Sequence, residues 1–587
     1  MNSYKQDENT QKKSKFATMP RLFSYLLRYK GRIAAVFALM AFGTAVDLIN
    51  PLLNELAIDK YILPGNIPGL LRIVALGAVL NILTVAAIKI RMIVMAKTSN
   101  KVIQNLRQQL YDHIQSLDLA FFDSRPSGKI LARIIGDTNS LKDIIENAVT
   151  TLIPSLITVT AVLVIMFVKN WRLALAALCS LPFMIAGIFL ISAMAEKHWR
   201  AKRQKSSNMN AFINEDLSGI KIIQSFRAES ETDKTFQDLV WEDRAEFIRA
   251  VRWSDAFGSW IDLCWSVGTA ALYLVGILVL GVENVSIGTY IAFASYVSMF
   301  WQPIMNLSNF YNQFVNAASG AERIFEIIDT KAQVTDKADA EPMPPIQGRV
   351  EFKDVSFSYD EEKTVLQNVS FDVEAGETIA LVGPTGAGES TVVNLISRFY
   401  DIDSGSLLID GKDIRNVRLE TLRTQMGIMT QDNYIFSGTV RENIMYGKLD
   451  ATEDEMLAAS RAVHADDFIR NLPDGYDTKL TARGGELSNG QRQLVAFARI
   501  MLSNPRILIL DEATSSIDTK TELLVQAGIA NMLKGRTSFV IAHRLSTIQN
   551  ADRIFVIDRG GIVESGTPEQ LMKQKGEYYK LCQAQFA

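Results

Sequence analysis

Gly383-Pro384-Thr385-Gly386-Ala387-Gly388-Glu389-Ser390 matches the phosphate-cradling pattern G-x-x-x-x-G-K-[ST] at every fixed position but one: Glu389 stands where the pattern requires lysine. The glycines of such a loop let successive backbone N–H groups close around a β-phosphate, and the N-terminus of the following helix adds its positive dipole end. Ser390, with Thr391 next to it in the same binding set, is placed to reach Mg²⁺. The absent lysine would neutralise the β- and γ-phosphates. A carboxylate replaces that attraction by repulsion of similar size, roughly 4 kcal/mol per unit-charge pair at about 4 Å and an effective dielectric near 20. The sequence therefore predicts ATP binding weakened by several orders of magnitude at this chain's own loop.

The 587 residues around this loop are too many for one hydrophobic core. The long apolar stretches come first, and the remainder alternates short β-branched runs with glycine and charge, as a soluble α/β domain does. A net charge of −3 gives no basic character to argue for nucleic acid, and that partner class is set aside. Cys179, Cys264 and Cys582 lie too far apart in sequence for a disulfide framework or metal-ligand spacing. Residues 1–18 are polar at their start and lack the apolar core of a cleavable signal, so a disordered cytoplasmic tail is expected.

Six stretches are long and apolar enough to cross a bilayer core: residues 33–53, 70–90, 148–168, 173–194, 257–280 and 288–309. The connections after the second and fourth are long and helically patterned, so spans two to five are expected to continue as helices outside the membrane. Lys97, Lys101, Arg107, Lys129 and Arg133 in the first long connection, and Lys197, Arg200, Lys202, Arg203 and Lys205 in the second, place both on the cytoplasmic side. The fold expected is an all-α polytopic membrane domain of six transmembrane helices with long cytoplasmic extensions, residues 19–325. A proline-marked linker, 326–347, and an α/β P-loop nucleotide-binding domain, 348–587, follow. Val350-Glu351-Phe352 reads as an edge strand, residues 378–382 as a buried strand entering the phosphate loop, and residues 507–510 as another feeding Asp511.

A lone glycine loop is weak evidence, but this one has company in a fixed order. Tyr359 precedes it; Gln431, Leu487-Ser488-Asn489-Gly490-Gln491, Asp511-Glu512, Ser515-Ser516-Ile517-Asp518 and His543 follow. Together these motifs resemble the nucleotide-binding domain of ABC transporters, over the whole chain from Tyr359 onward. The resemblance implies that Tyr359 stacks on adenine, that Gln431 and Asp518 belong to the nucleotide site, and that ATP and Mg²⁺ are the cofactors. Asp511, at a strand end, suits Mg²⁺ held through water; Ser390 and Gln431 complete the metal set. Glu512 suits the general base and His543 the γ-phosphate contact that orients the attacking water.

Ser488, Asn489, Gly490 and Gln491 form the signature segment, which in this family faces the nucleotide held by a partner subunit. LSNGQ replaces the usual LSGGQ, and a side chain at 489 is expected to loosen that contact. Such a substitution, beside an otherwise complete catalytic set, resembles the consensus-site subunit of heterodimeric bacterial multidrug exporters; Glu389 contradicts that assignment, and a charge reversal explains it better than disuse, because Glu512 and His543 still match. The membrane half resembles the exporter type. The resemblance implies docking tips near residues 124–128 and 214–219, a second half-transporter as partner, and hydrophobic or amphipathic substrates. The alternatives are a homodimeric lipid or peptide exporter and a catalytically silent regulatory subunit. Asp47 and Asp262, charged within apolar runs, are candidates for a cation or a structural hydrogen bond. Trp260, Trp265, Tyr273, Phe293, Tyr296, Phe300 and Trp301 suggest an aromatic surface on the last two spans.

Overall fold

The computed structural model describes residues 18–280, 285–359, 364–384, 386–430, 433–511, 519–541 and 550–586. Contacts divide the chain into two units: Met1–His113 with Gly128–Asp329, and Ile114–Ser127 with Thr330–Ala587.

The first unit is helical. Its elements are α1 (Met19–Leu27), α2 (Lys30–Ala57), α3 (Ile67–Gln115), α5 (Ser127–Ala132), α6 (Thr138–Asn147), α7 (Ile153–Ala177), α8 (Leu181–Ser218), α9 (Ile220–Phe226), α10 (Glu229–Leu274) and α11 (Ile287–Asp329); α4 (Leu119–Asp123) belongs to the second unit. At 1.5 Å per residue the 49-residue α3 is about 70 Å long, more than twice a hydrocarbon core, so extension beyond the membrane is built into it. Among the described residues, five helical stretches are long and apolar enough to span: Lys30–Ile62, Ile67–Gln115, Ser127–Ala177, Leu181–Ser218 and Glu229–Val279. The sixth expected span falls in α11, which is long enough but diluted by Thr289, Ser295, Ser298, Gln302, Asn306 and Asn309. Beyond lipid, α8 and α10 run antiparallel and pair through Lys205 with Glu242 (2.6 Å), His198 with Glu246 (3.0 Å) and Trp199 Nε1 donating to Ser254 Oγ (2.9 Å).

The break expected between the third and fourth spans falls at Asn170, whose φ of −159° and ψ of 103° interrupt α7; residues 173–194 are helical on either side of a turn at residues 178–180, because Pro182 has no N–H to continue the ladder. The structure corrects two expectations here. The short helix expected near residues 124–128 is α4, one turn before them: the Asp118 carboxylate accepts from Phe121 N (3.3 Å) and opens the helix, and Pro126 follows its end. The short helix expected around residues 214–219 is α9, after residues that still belong to α8 up to Ser218 and beyond the break at Gly219.

The second unit holds β1 (Val350–Ser358), β2 (Thr364–Val373), β3 (Thr378–Val382), β4 (Ser404–Ile409), β5 (Lys412–Asp413), β6 (Met426–Met429), β7 (Gly438–Thr439), β8 (Lys479–Leu480), β9 (Ile507–Asp511), β10 (Thr537–Ile541), β11 (Arg553–Asp558) and β12 (Gly561–Gly566). Six form one sheet in the order β12-β11-β3-β10-β9-β6, parallel except for β12. Alternate residues feed opposite cores: Ala380, Val382, Leu508 and Leu510 on one face, Ile379, Leu381, Ile507 and Ile509 on the other. β1 is not an edge strand. It lies between β2 and β4, antiparallel to both. The stretch 330–347, read as linker, packs on this unit: Met343 N donates to Thr421 Oγ1 and Ile346 N to Gln425 Oε1, both at 2.8 Å, and both side chains are buried.

Arg398 anchors the same region. Its side chain is 1% exposed, its Nε donates to Asp401 (2.9 Å), and its terminal nitrogens donate to the carbonyls of Val417 (3.0 Å) and Thr335 (3.1 Å). Arg398→Met keeps the stem but strands the buried Val417 carbonyl and leaves the part-buried Thr335 carbonyl and Asp401 without their partner, and is expected to cost about 3 kcal/mol. Thermal or denaturant unfolding of the full-length protein checks this; an unchanged transition would contradict it.

Candidate active site

β3 and β9 flank β10, with Ile541 in register with Leu381 on one side and Asp511 on the other. The phosphate loop leaves β3 at the same sheet edge at which β9 delivers Asp511, the place where an open parallel sheet binds ligands. Gly386 (φ +84°) and Gly388 (φ +118°) hold left-handed conformations, and a Cβ on Gly388 would meet Leu366 Cδ2 at 2.9 Å. Ala387 N donates to Pro384 O (2.9 Å), closing the turn that leads into α12 (Glu389–Ile396). The backbone thus fits a phosphate cradle.

The side chain at 389 does not. Glu389 Oε1 is buried and has no hydrogen-bond partner among the described residues. It lies over the start of the loop, where a Cβ on Gly383 would come within 2.7 Å of it. Desolvation first, and the nearby Asp511 carboxylate second, push the Glu389 pKa from the usual 4.5 up to about 7. A raised carboxyl pKa means that the unfolded chain ionises before the folded one, so stability falls as pH rises from 4.5 to about 7 and then levels. Glu389→Gln removes the titrating group. Its melting temperature is expected to match the parent near pH 4.5 and exceed it increasingly up to about pH 7; a gap independent of pH would refute this.

Tyr359, half exposed, sits against α12: its hydroxyl hydrogen-bonds Thr391 Oγ1 (3.1 Å) and accepts from Asn394 Nδ2 (3.4 Å). Ser390 is exposed at the start of α12. The structure thus brings Tyr359, Gly383, Pro384, Gly386, Ala387, Gly388, Glu389, Ser390, Thr391 and Asp511 to one sheet edge. Thr385, Gln431, Glu512, Asp518 and His543 lie outside the described residues.

Ser488 caps the helix Asn489–Ser503: its Oγ accepts from Gln491 N (3.3 Å) and its N–H donates to Gln491 Oε1 (2.9 Å). Gly490 is buried, while Ser488 and Asn489 are exposed. The Asn489 side chain turns along its own helix, where Oδ1 accepts from Arg492, which also donates to Leu487 O (2.8 Å). That role for Arg492 carried no signal in the sequence beyond the i,i+3 spacing of an amide and a guanidinium.

Three residues of the aromatic surface expected on the last spans are core. Phe293, Tyr296 and Phe300 share one face of α11 and are buried, with Tyr296 donating to Leu48 O (2.8 Å); Trp265 and Tyr273 are part-exposed, and the Trp301 side chain lies outside the description. Asp47 and Asp262 are exposed on the single chain.

Apolar spanning helices joined in one chain to a glycine-loop parallel sheet define a membrane protein worked by a nucleotide. Residues 33–304 match the model of the ABC transporter transmembrane region, and residues 366–515 the model described as ABC transporter. An ABC transporter ATP-binding protein of Bacillus subtilis, YknV, is 40% identical over 586 residues, covering 100% of this chain and 97% of its own. A protein of Staphylococcus aureus named for multidrug export is 35% identical over 573 residues, 96% of this chain and 99% of its own. The ATP-dependent lipid A-core flippase of Syntrophus aciditrophicus is 38% identical over 494 residues, 84% of this chain and 82% of its own. The structure of a bacterial Atm1-family ABC exporter with ATP bound superposes with a TM-score of 0.76 and 28% identity, over 95% of this chain and 98% of that one. The chain belongs to the ABC transporter family. It is a multi-pass membrane half-transporter of the ATP-driven exporter type, in the bacterial plasma membrane.

Proposed function

We propose that this chain is one half of a heterodimeric exporter of hydrophobic or amphipathic, multidrug-like compounds, with its own nucleotide site impaired by Glu389. The observation that carries the impairment is the buried Glu389 Oε1, without a hydrogen-bond partner among the described residues, at the start of the phosphate loop and near Asp511. In this reading Tyr359 stacks on adenine, the loop from Gly383 to Thr391 holds the phosphates, and Ser390, Gln431 and Asp511 hold Mg²⁺. Glu512 takes the proton of the attacking water, and His543 orients it. Ser488, Asn489, Gly490 and Gln491 serve the partner's nucleotide. The membrane domain covers 19–325, preceded by a tail and joined through 326–347 to the nucleotide-binding domain. ATP chemistry shifts the chain between inward and outward access because nucleotide favours the closed pair of ATPase domains.

A lipid-moving homodimer is the second reading, and the flippase among the relatives is the observation in its favour. Purifying the full-length chain alone and with its candidate partner, then counting bound nucleotide per site, separates the two. The heterodimer predicts less than one equivalent per pair at this chain's loop and vanadate-sensitive turnover only in the mixed species. Turnover by the chain alone would overturn it.

A further inference from the structure

The nucleotide site and the α4 tip are joined by three side chains to which the reading above gives no role. Tyr400 is buried at 7% exposure, and its hydroxyl donates to Asp123 Oδ2 at the end of α4. Its ring meets Tyr359 edge-on at 5.0 Å and 88°, and Phe357 at 5.6 Å and 60°. Tyr359 in turn meets Phe357 edge-on at 4.9 Å and reaches α12 through Thr391 and Asn394. The tip is pinned on its other side, where the Asp118 carboxylate accepts from Val334 N (3.3 Å) and Gln333 N. Leu119 and Ala120 pack on the core that contains Phe357 and Tyr400.

We propose that Tyr400 is a positioning residue that links occupancy of the Tyr359 side of the nucleotide site to the α4 tip through its hydrogen bond to Asp123. The inference rests on the reading of Tyr359 as a nucleotide contact. A ring that moves when a base stacks on it carries its edge-on neighbour with it, because packed aromatic pairs occupy discrete arrangements. Tyr400 converts that ring movement into the presence or absence of one charge-assisted hydrogen bond at a segment continuous in sequence with α3 and α5. Burial and the Asp123 carboxylate both hold the Tyr400 hydroxyl in its protonated, donating form, with its pKa above the ordinary tyrosine value. Packing alone gives the hydroxyl no work, so Tyr400→Phe separates the two accounts.

The test is hydrogen exchange on the full-length exporter in lipid nanodiscs, with and without Glu389→Lys, in the absence and presence of saturating AMP-PNP and Mg²⁺. In the Glu389→Lys protein the analogue is expected to slow exchange at least fivefold both in Glu389–Ile396 and in Leu119–Asp123. Tyr400→Phe and Asp123→Asn are each expected to keep the first response and lose at least threefold of the second, and the double variant is expected to lose no more than either alone, the mark of a shared bond. A tip response in Tyr400→Phe equal to the parent's, additive losses, or faster tip exchange by the same factor with and without the analogue would each overturn the proposal, the last showing only a structural tie. No response at Glu389–Ile396 in the Glu389→Lys protein would instead overturn the nucleotide-site reading, and this inference with it.

Discussion

Glu389→Lys is expected to tighten ATP binding at this chain's loop by about a thousandfold near pH 7. The magnitude follows from which charge state the parent presents. Burial and Asp511 raise the Glu389 pKa to about 7, so near neutrality the carboxyl is only half ionised and repels less than a full charge would. The gain is then mainly the attraction that lysine supplies, roughly 4 kcal/mol for one charge pair at about 4 Å and dielectric near 20, and each ~1.4 kcal/mol is tenfold. Gly386 and Gly388 already hold the left-handed conformations that a phosphate loop uses. Equilibrium binding of a fluorescent ATP analogue to the full-length protein measures it. The sign of the pH effect is a second check: parent affinity should fall from pH 6 to 8 as Glu389 ionises, and the Glu389→Lys protein should be level over that range. An increase below tenfold would mean that Glu389 does not oppose the phosphates.

Glu512→Gln, in the Glu389→Lys protein, is expected to lower turnover by about 10²–10⁴-fold with ATP affinity changed less than threefold. β9 ends at Asp511, in register with Ile541 of β10, which is in turn in register with Leu381 just before the phosphate loop. Glu512 follows Asp511 directly in the sequence, and an amide there keeps size and hydrogen bonding but takes up no proton. Vanadate-sensitive ATPase activity and analogue binding, measured on the same preparation, give the answer. Retained turnover with a lowered melting temperature would make Glu512 a salt-bridge residue and move the base elsewhere.

The soluble fold was legible because its signals are local. A buried five-residue strand followed by a glycine loop, and an apolar run ended by Asp511-Glu512, each encode their conformation within a few residues, and β3 and β9 form there. Helix existence in the membrane half was equally legible from apolar length. The misreadings are at boundaries and neighbours. Val350-Glu351-Phe352 alternates as an edge strand does, yet β4, more than fifty residues on, closes its second side. Phe293, Tyr296 and Phe300 looked like a cavity face, but the helical period that aligned them also allows a core, and only packing chooses.

What the amino-acid sequence determined by itself is the set of parts: spanning helices, a phosphate loop with reversed charge at 389, and a modified signature at 489. Each follows from side-chain type and spacing along one stretch of chain. What only the tertiary structure decided is what those parts touch. It stripped water from Glu389 and set Asp511 near it, turned Asn489 to Arg492, and brought Tyr400 between Tyr359 and Asp123. The physical reason is that desolvation, charge proximity and hydrogen bonding depend on distances through space, and most of these partners lie tens to hundreds of residues apart in sequence.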